Sequence, residues 1–139
     1  MGLSIRNQLA GTVSAVTPGE VMATVKARLS GGQEITAAVT REAVEDLGLA
    51  EGTAVRALVK STEVSLATGP VTGISIRNQL PGRVTGVATG GAMATVKVAV
   101  DGGELTASIT REAAVELGLE AGTPVVALIK STELSLATA

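Results

Sequence analysis

The sequence predicts an all-β protein with one short helix per repeat, arranged as two tandem small β-barrel domains at residues 1–68 and 69–139. Three observations predict it. Ser4-Ile5-Arg6-Asn7-Gln8-Leu9 returns as Ser75-Ile76-Arg77-Asn78-Gln79-Leu80, so the chain is a duplication. Within each half, apolar and polar residues alternate at period two in short runs separated by Gly, Pro, Ser and Asp, the pattern of strands joined by tight turns. One stretch per half carries helix start and stop signals instead.

The elements follow in order. The opening hexapeptide continues through Gly11–Val16 as one long strand, and Thr17-Pro18-Gly19-Glu20 turns the chain. A second strand runs from Val21 to Leu29, with Lys26 and Arg28 on one face and Val25, Ala27 and Leu29 on the other. Gln33 to Val39 reads as a third strand. Thr40 then stands at a helix N-cap, Glu42 in the first turn and Gly48 at the stop, which predicts about two helical turns. Ala43, Val44 and Leu47 form the helix's apolar face, expected to cap one end of the barrel. Ala54–Val59 is a fourth strand and Val64–Leu66 a short fifth, with Lys60-Ser61-Thr62-Glu63 between them. The second half repeats this order with one deletion in a hairpin loop, and Thr68–Gly73 is too short to be a flexible tether. Five short strands and a helix per half point to an OB-like barrel.

Composition narrows the function. There is no Cys and no His, which excludes zinc sites of the usual type, haem ligation by His, and Ser-His-Asp or Cys-His catalysis. There is no aromatic residue, so the core must come from aliphatic side chains. A net charge of −2, a pI near 5.1 and no stacking residues argue against a nucleic-acid partner. No apolar run is long enough to span a membrane, and the N-terminus does not read as a signal peptide, so a cytoplasmic location is expected. Hydrophobic content of 45% and a mean hydropathy of +0.42 in such small repeats predict an oligomer.

Three groups of hydrogen-bond donors recur: Ser4, Arg6 and Asn7; Thr40; Lys60 and Ser61. Their counterparts are Ser75, Arg77 and Asn78; Thr110; Lys130 and Ser131. Hydroxyls, carboxamides, a guanidinium and an ammonium without a carboxylate suit an anion with several acceptor oxygens. Each group also has a plain alternative: an amphipathic strand face, a helix cap, a solvated strand end. Thr40 can fill two roles at once, since a capping hydroxyl accepts from a backbone N–H and keeps its own proton to donate. Glu42, Glu45, Asp46 and Glu51 match a solvated helix face better than a paired-carboxylate or divalent-metal site. The Gly pairs open into no phosphate-binding loop.

The order of these motifs, from the hexapeptide through Met22-Ala23-Thr24-Val25-Lys26 and Thr40-Arg41-Glu42-Ala43 to Lys60-Ser61-Thr62-Glu63, resembles the molybdate-binding Mop domain of the TOBE type. The duplicated arrangement is similar to the molbindins, which carry two such domains in tandem. The resemblance implies an OB-like barrel, a homotrimer, and molybdate or tungstate bound between domains with no organic cofactor, no metal ligated directly by side chains and no catalysis. It implies storage and homeostasis of the oxyanion in the cytoplasm, with no nucleic-acid or membrane partner. It sets Ser4, Arg6 and Asn7 against Thr40, Lys60 and Ser61 of a neighbouring domain, with the second-half residues doing the same, and so brings Arg6 to Lys60 only across an interface. Many relatives have Asn where Met22 and Met93 stand, a carboxamide that this chain lacks. The alternative is an effector-sensing or assembly module that partners a molybdate-responsive regulator or transporter.

Overall fold

The computed structural model describes residues 2–138. The first half contributes β1 (Asn7–Pro18), β2 (Met22–Leu29), β3 (Glu34–Thr40), α1 (Arg41–Leu47), β4 (Ala54–Val59) and β5 (Ser65–Ala67). The second contributes β6 (Asn78–Thr89), β7 (Met93–Val100), β8 (Gly103–Thr110), α2 (Arg111–Glu116), β9 (Pro124–Ile129) and β10 (Ser135–Thr138). A one-turn 3-10 helix, Ser61–Glu63 and then Ser131–Glu133, precedes the last strand of each half.

The long first strand works in two segments. Asn7–Thr12 pairs with β4, and Gly11–Pro18 pairs with β2. Between Val13 and Ala15 the register slips, a bulge that bends the strand so one chain segment can serve two neighbours of a curled sheet. Gly11 sits at the crossover because a Cβ there would fall 2.8 Å from the Arg28 carbonyl oxygen. In β2 the alternation is complete: Ala23, Val25, Ala27 and Leu29 are buried, while Met22, Thr24, Lys26 and Arg28 face out.

The helix starts and stops as its sequence dictates. Thr40 Oγ1 accepts from the Ala43 N–H at 3.1 Å, and Gly48 takes the left-handed conformation at φ 62°. The Gly48 N–H then donates to Glu45 and the Leu49 N–H to Val44, so the helix ends in a paired C-terminal cap. This changes the expected apolar face. Leu47 is exposed, Ala43 and Val44 are half-buried, and Leu49, carried back by the glycine turn, is the residue that enters the core.

The fifth strand of each half leaves its own barrel. The sheets run β10-β4-β1-β2-β3 and β5-β9-β6-β7-β8. Leu66 therefore lies opposite Ala127, and Leu136 opposite Ala57. The 3-10 turns lead into this exchange, since Ser61–Glu63 packs against β8 and Ser131–Glu133 against β3. A single aliphatic core runs through both halves, from Leu9, Val25 and Ile35 to Leu80, Val96 and Leu105.

Candidate functional site

The donor-bearing residues are placed by the ends of the β1/β4 and β6/β9 ladders. The first ladder ends with Asn7 opposite Val59, so the next residues outward on the two strands are Arg6 and Lys60. Asn78 opposite Ile129 does the same for Arg77 and Lys130. This corrects the expectation that Arg6 meets Lys60 only across an interface: antiparallel pairing of the first and fourth strands brings their backbone positions to the same end of one repeat. Both cations are exposed, as are Arg77 and Lys130, and among the described residues none of the four makes an ion pair. Two exposed cations that follow the same ladder end, neither of them ion-paired among the described residues, favour an anion.

Ser61 and Ser131 are half-buried at the first positions of the 3-10 turns, directly after the lysines. Ser4 and Ser75 are exposed, two residues before the arginines. The stretch holding them is shaped by the glutamines: Gln8 Nε2 donates to the Ile5 carbonyl and Gln79 Nε2 to the Ile76 carbonyl, each at 3.0 Å. These carboxamides thus fold back on the opening segment.

Asn7 and Asn78 have a different environment from the other donors. Each is buried, at 2% and 3% exposure, and each is bonded to the other repeat. Asn7 Nδ2 donates to the Thr106 carbonyl and Asn7 Oδ1 accepts from the Thr106 N–H, both at 2.8 Å. Asn78 makes the same pair of bonds with Thr36. The carboxamide acts as one residue of a missing strand, satisfying the outward backbone groups of an edge strand that would otherwise be left open.

Thr40 and Thr110 stand apart from these clusters. Within the chain, Thr110 is four residues along β8 from Thr106, about 13 Å at the rise of a strand, and it lines a separate depression with Ala92, Arg111 and Val115. Thr40 lines the equivalent depression with Val21, Arg41 and Glu45. The structure therefore groups Arg6, Lys60 and Ser61 in one place and leaves the threonine of either repeat in another. Sequence reasoning passed over Arg41, whose Nε lies 3.1 Å from Glu45 Oε1, although the i,i+4 spacing of the two was legible. Among the described residues no cluster of three or more His, Cys, Asp or Glu is placed to hold a metal ion. No helix among them is long and apolar enough to cross a membrane.

Residues 3–66 and 74–136 each match the TOBE domain. The chain belongs to the TOBE-domain family. This TOBE protein is 38% identical over 138 residues to the molybdenum transport protein ModE of Azotobacter vinelandii, covering 99% of this chain and 51% of that protein. It is 40% identical over 136 residues to the molybdenum-pterin-binding protein MopB of Rhodobacter capsulatus, covering 96% and 50%. The chain spans about half the length of these relatives. Among solved structures it is similar to the cytoplasmic molybdate-binding protein ModG in a molybdate-bound form, with a TM-score of 0.96, 41% identity and full coverage of both chains. The tandem TOBE arrangement, the curled sheets and the short helices are thus those of a protein crystallised with the oxyanion.

Proposed function

We propose that this TOBE protein binds molybdate, and tungstate by the same chemistry, as a cytoplasmic store of the oxyanion that carries out no catalysis. The observation that carries this reading is the adjacency of Arg6 to Lys60, and of Arg77 to Lys130, at ladder ends with a serine hydroxyl beside each pair and no acidic partner. Molybdate at neutral pH is a tetrahedral dianion with four acceptor oxygens and no proton, so a donor set without carboxylates suits it. Protonated phosphate would need an acceptor that this set lacks. Similarity to ModG over the whole chain supports the same reading.

The site residues on this reading are Ser4, Arg6, Lys60 and Ser61 with Asn7 behind them, and Ser75, Arg77, Lys130 and Ser131 with Asn78. Thr40 and Thr110 join them from a second copy of the chain. Val21 lines the Thr40 depression and Met22 pairs with Thr40, while Val115 lines the Thr110 depression and Met93 pairs with Thr110, and all four are exposed apolar residues. Covering these patches with neighbouring copies in a homotrimer would bury them and carry each threonine to a cation pair. Nucleic acid and membrane have no part in this assembly, and no organic cofactor is required. Calorimetry with molybdate, tungstate, sulfate and phosphate tests the function. Tight binding of the first two is expected, and equal weak heats for all four would defeat the proposal.

A second reading is favoured by one observation, that the chain matches only half of the regulator and transport proteins named ModE. On that reading it is an effector-sensing or assembly module. Recovery of a stoichiometric protein partner without bound molybdenum would favour it over storage.

A further inference from the structure

We infer that Asn7 and Asn78 are positioning residues that assemble the oxyanion sites from two repeats, and that neither touches the anion. The inference rests on the oxyanion reading above and gives these two carboxamides a role that their place among the donors does not suggest.

Four observations carry it. Asn7 is nearly sealed from solvent, and its carboxamide faces the Thr106 backbone, with Oδ1 and one Nδ2 proton both engaged at 2.8 Å. Asn78 stands in the same relation to Thr36. The remaining Nδ2 proton of each belongs to a side chain that a hydrated dianion cannot reach without opening the contact. Finally, the residue preceding each asparagine is the arginine of the cation pair, and the residue opposite it precedes the lysine. A bond from Asn7 to β8 therefore fixes the backbone from which both Arg6 and Lys60 project, and seats Ser61 against the same strand. Loss of the carboxamide would free the opening segment and the 3-10 turn together, and the donors would have to be ordered by the anion itself.

Position-specific coupling distinguishes this role from a general contribution to folding. Asn78 clamps only β3 and orders only Arg77, Lys130 and Ser131; Asn7 clamps only β8 and orders only Arg6, Lys60 and Ser61. The test uses the full chain, with amide exchange read by NMR and molybdate affinity by calorimetry. In Asn78→Ala, the Thr36 amide should exchange at least about tenfold faster while Thr106 keeps its protection. Half of the molybdate sites should weaken by about tenfold and the other half keep wild-type affinity. Equal weakening of all sites, or unchanged binding with Thr36 still protected, overturns the inference. A wild-type protein giving no heat with molybdate overturns the oxyanion reading itself, whereas wild-type binding with an unaltered variant overturns the positioning role alone.

Should Asn78→Ala fail to fold, Asn78→Asp carries the test, with the same site-by-site calorimetry read beside its melting temperature. Its carboxylate keeps an acceptor for the Thr36 N–H but has no proton for the Thr36 carbonyl, whereas the neutral acid has both. A carboxyl facing a carbonyl in a buried place has its folded-state pKa raised, so the restored bond is present at low pH and lost as pH rises through that pKa. The melting temperature of the variant should approach that of the wild type as pH is lowered. A difference that does not change with pH overturns the clamp.

Discussion

Gly31 and Gly102 meet back to back where the hairpin turns of the two repeats touch. A Cβ on Gly31 would fall 2.5 Å from the Asp101 carbonyl carbon and 2.7 Å from the Gly102 nitrogen, and one on Gly102 would fall 2.6 Å from the Gly31 nitrogen. The obstacle on each side is backbone, which cannot rotate away as a side chain can. Gly31→Ala should therefore push the turns apart and destabilise the protein by about 1–3 kcal/mol, the usual range for overpacking. Gly86→Ala, with nothing within 4 Å of its Cβ, should be near neutral. Denaturant melts of the two variants check the contrast, and equal stabilities would mean that the turns are not in contact in solution.

Lys60→Ala combined with Lys130→Ala removes one charged donor from each cation pair. A hydrogen bond to a charged group contributes roughly 1.5–3 kcal/mol, so molybdate affinity should fall about ten- to hundredfold. Both side chains are exposed and the core is aliphatic, so the melting temperature without anion should be unchanged. Wild-type affinity in the folded double variant would remove the lysines from the site.

Molybdate should stabilise the protein, because the donors are gathered only in the folded state. At a hundredfold excess over Kd the gain is about 2.7 kcal/mol, a rise of several degrees in Tm. Thermal melts at increasing molybdate check this. No shift at saturation would show that the folded and unfolded chains bind the anion equally.

Much of the fold was legible because it is written locally. Thr40 announced the helix start and Gly48 its end, and the alternation in β2 assigned every side chain to its face. The donor groups were legible too, as polar residues repeated without a carboxylate among them. The exchange of fifth strands was not. Leu66 would find Val55 and Ala57 on its own fourth strand or Val125 and Ala127 on the other, and the repeats are too alike for a local pattern to choose between them. The pairing of Asn7 with Thr106 was hidden for a related reason: 99 positions separate them, and one partner is backbone, which has no letter in the sequence. The adjacency of Arg6 and Lys60 could have been read, since antiparallel pairing of the first and fourth strands brings the start of one to the end of the other.

The exchange also predicts how a single repeat behaves. Residues 1–68 alone would keep β5 but lose β10, leaving the outer edge of β4 open and β5 without β9. Two such fragments can each supply what the other lacks, so the fragment should dimerise by lending Ser65–Ala67 to its partner copy's β4. Sedimentation decides it, and a stable folded monomer would contradict the topology.

Because each half holds the last strand of the other, the connection at residues 68–77 is not what keeps them together. A protease that cut there would leave two fragments clasped by the exchanged strands and the shared core, and parting them would mean peeling those strands away and exposing that core. The halves should co-elute after such a nick under native conditions and part only in denaturant.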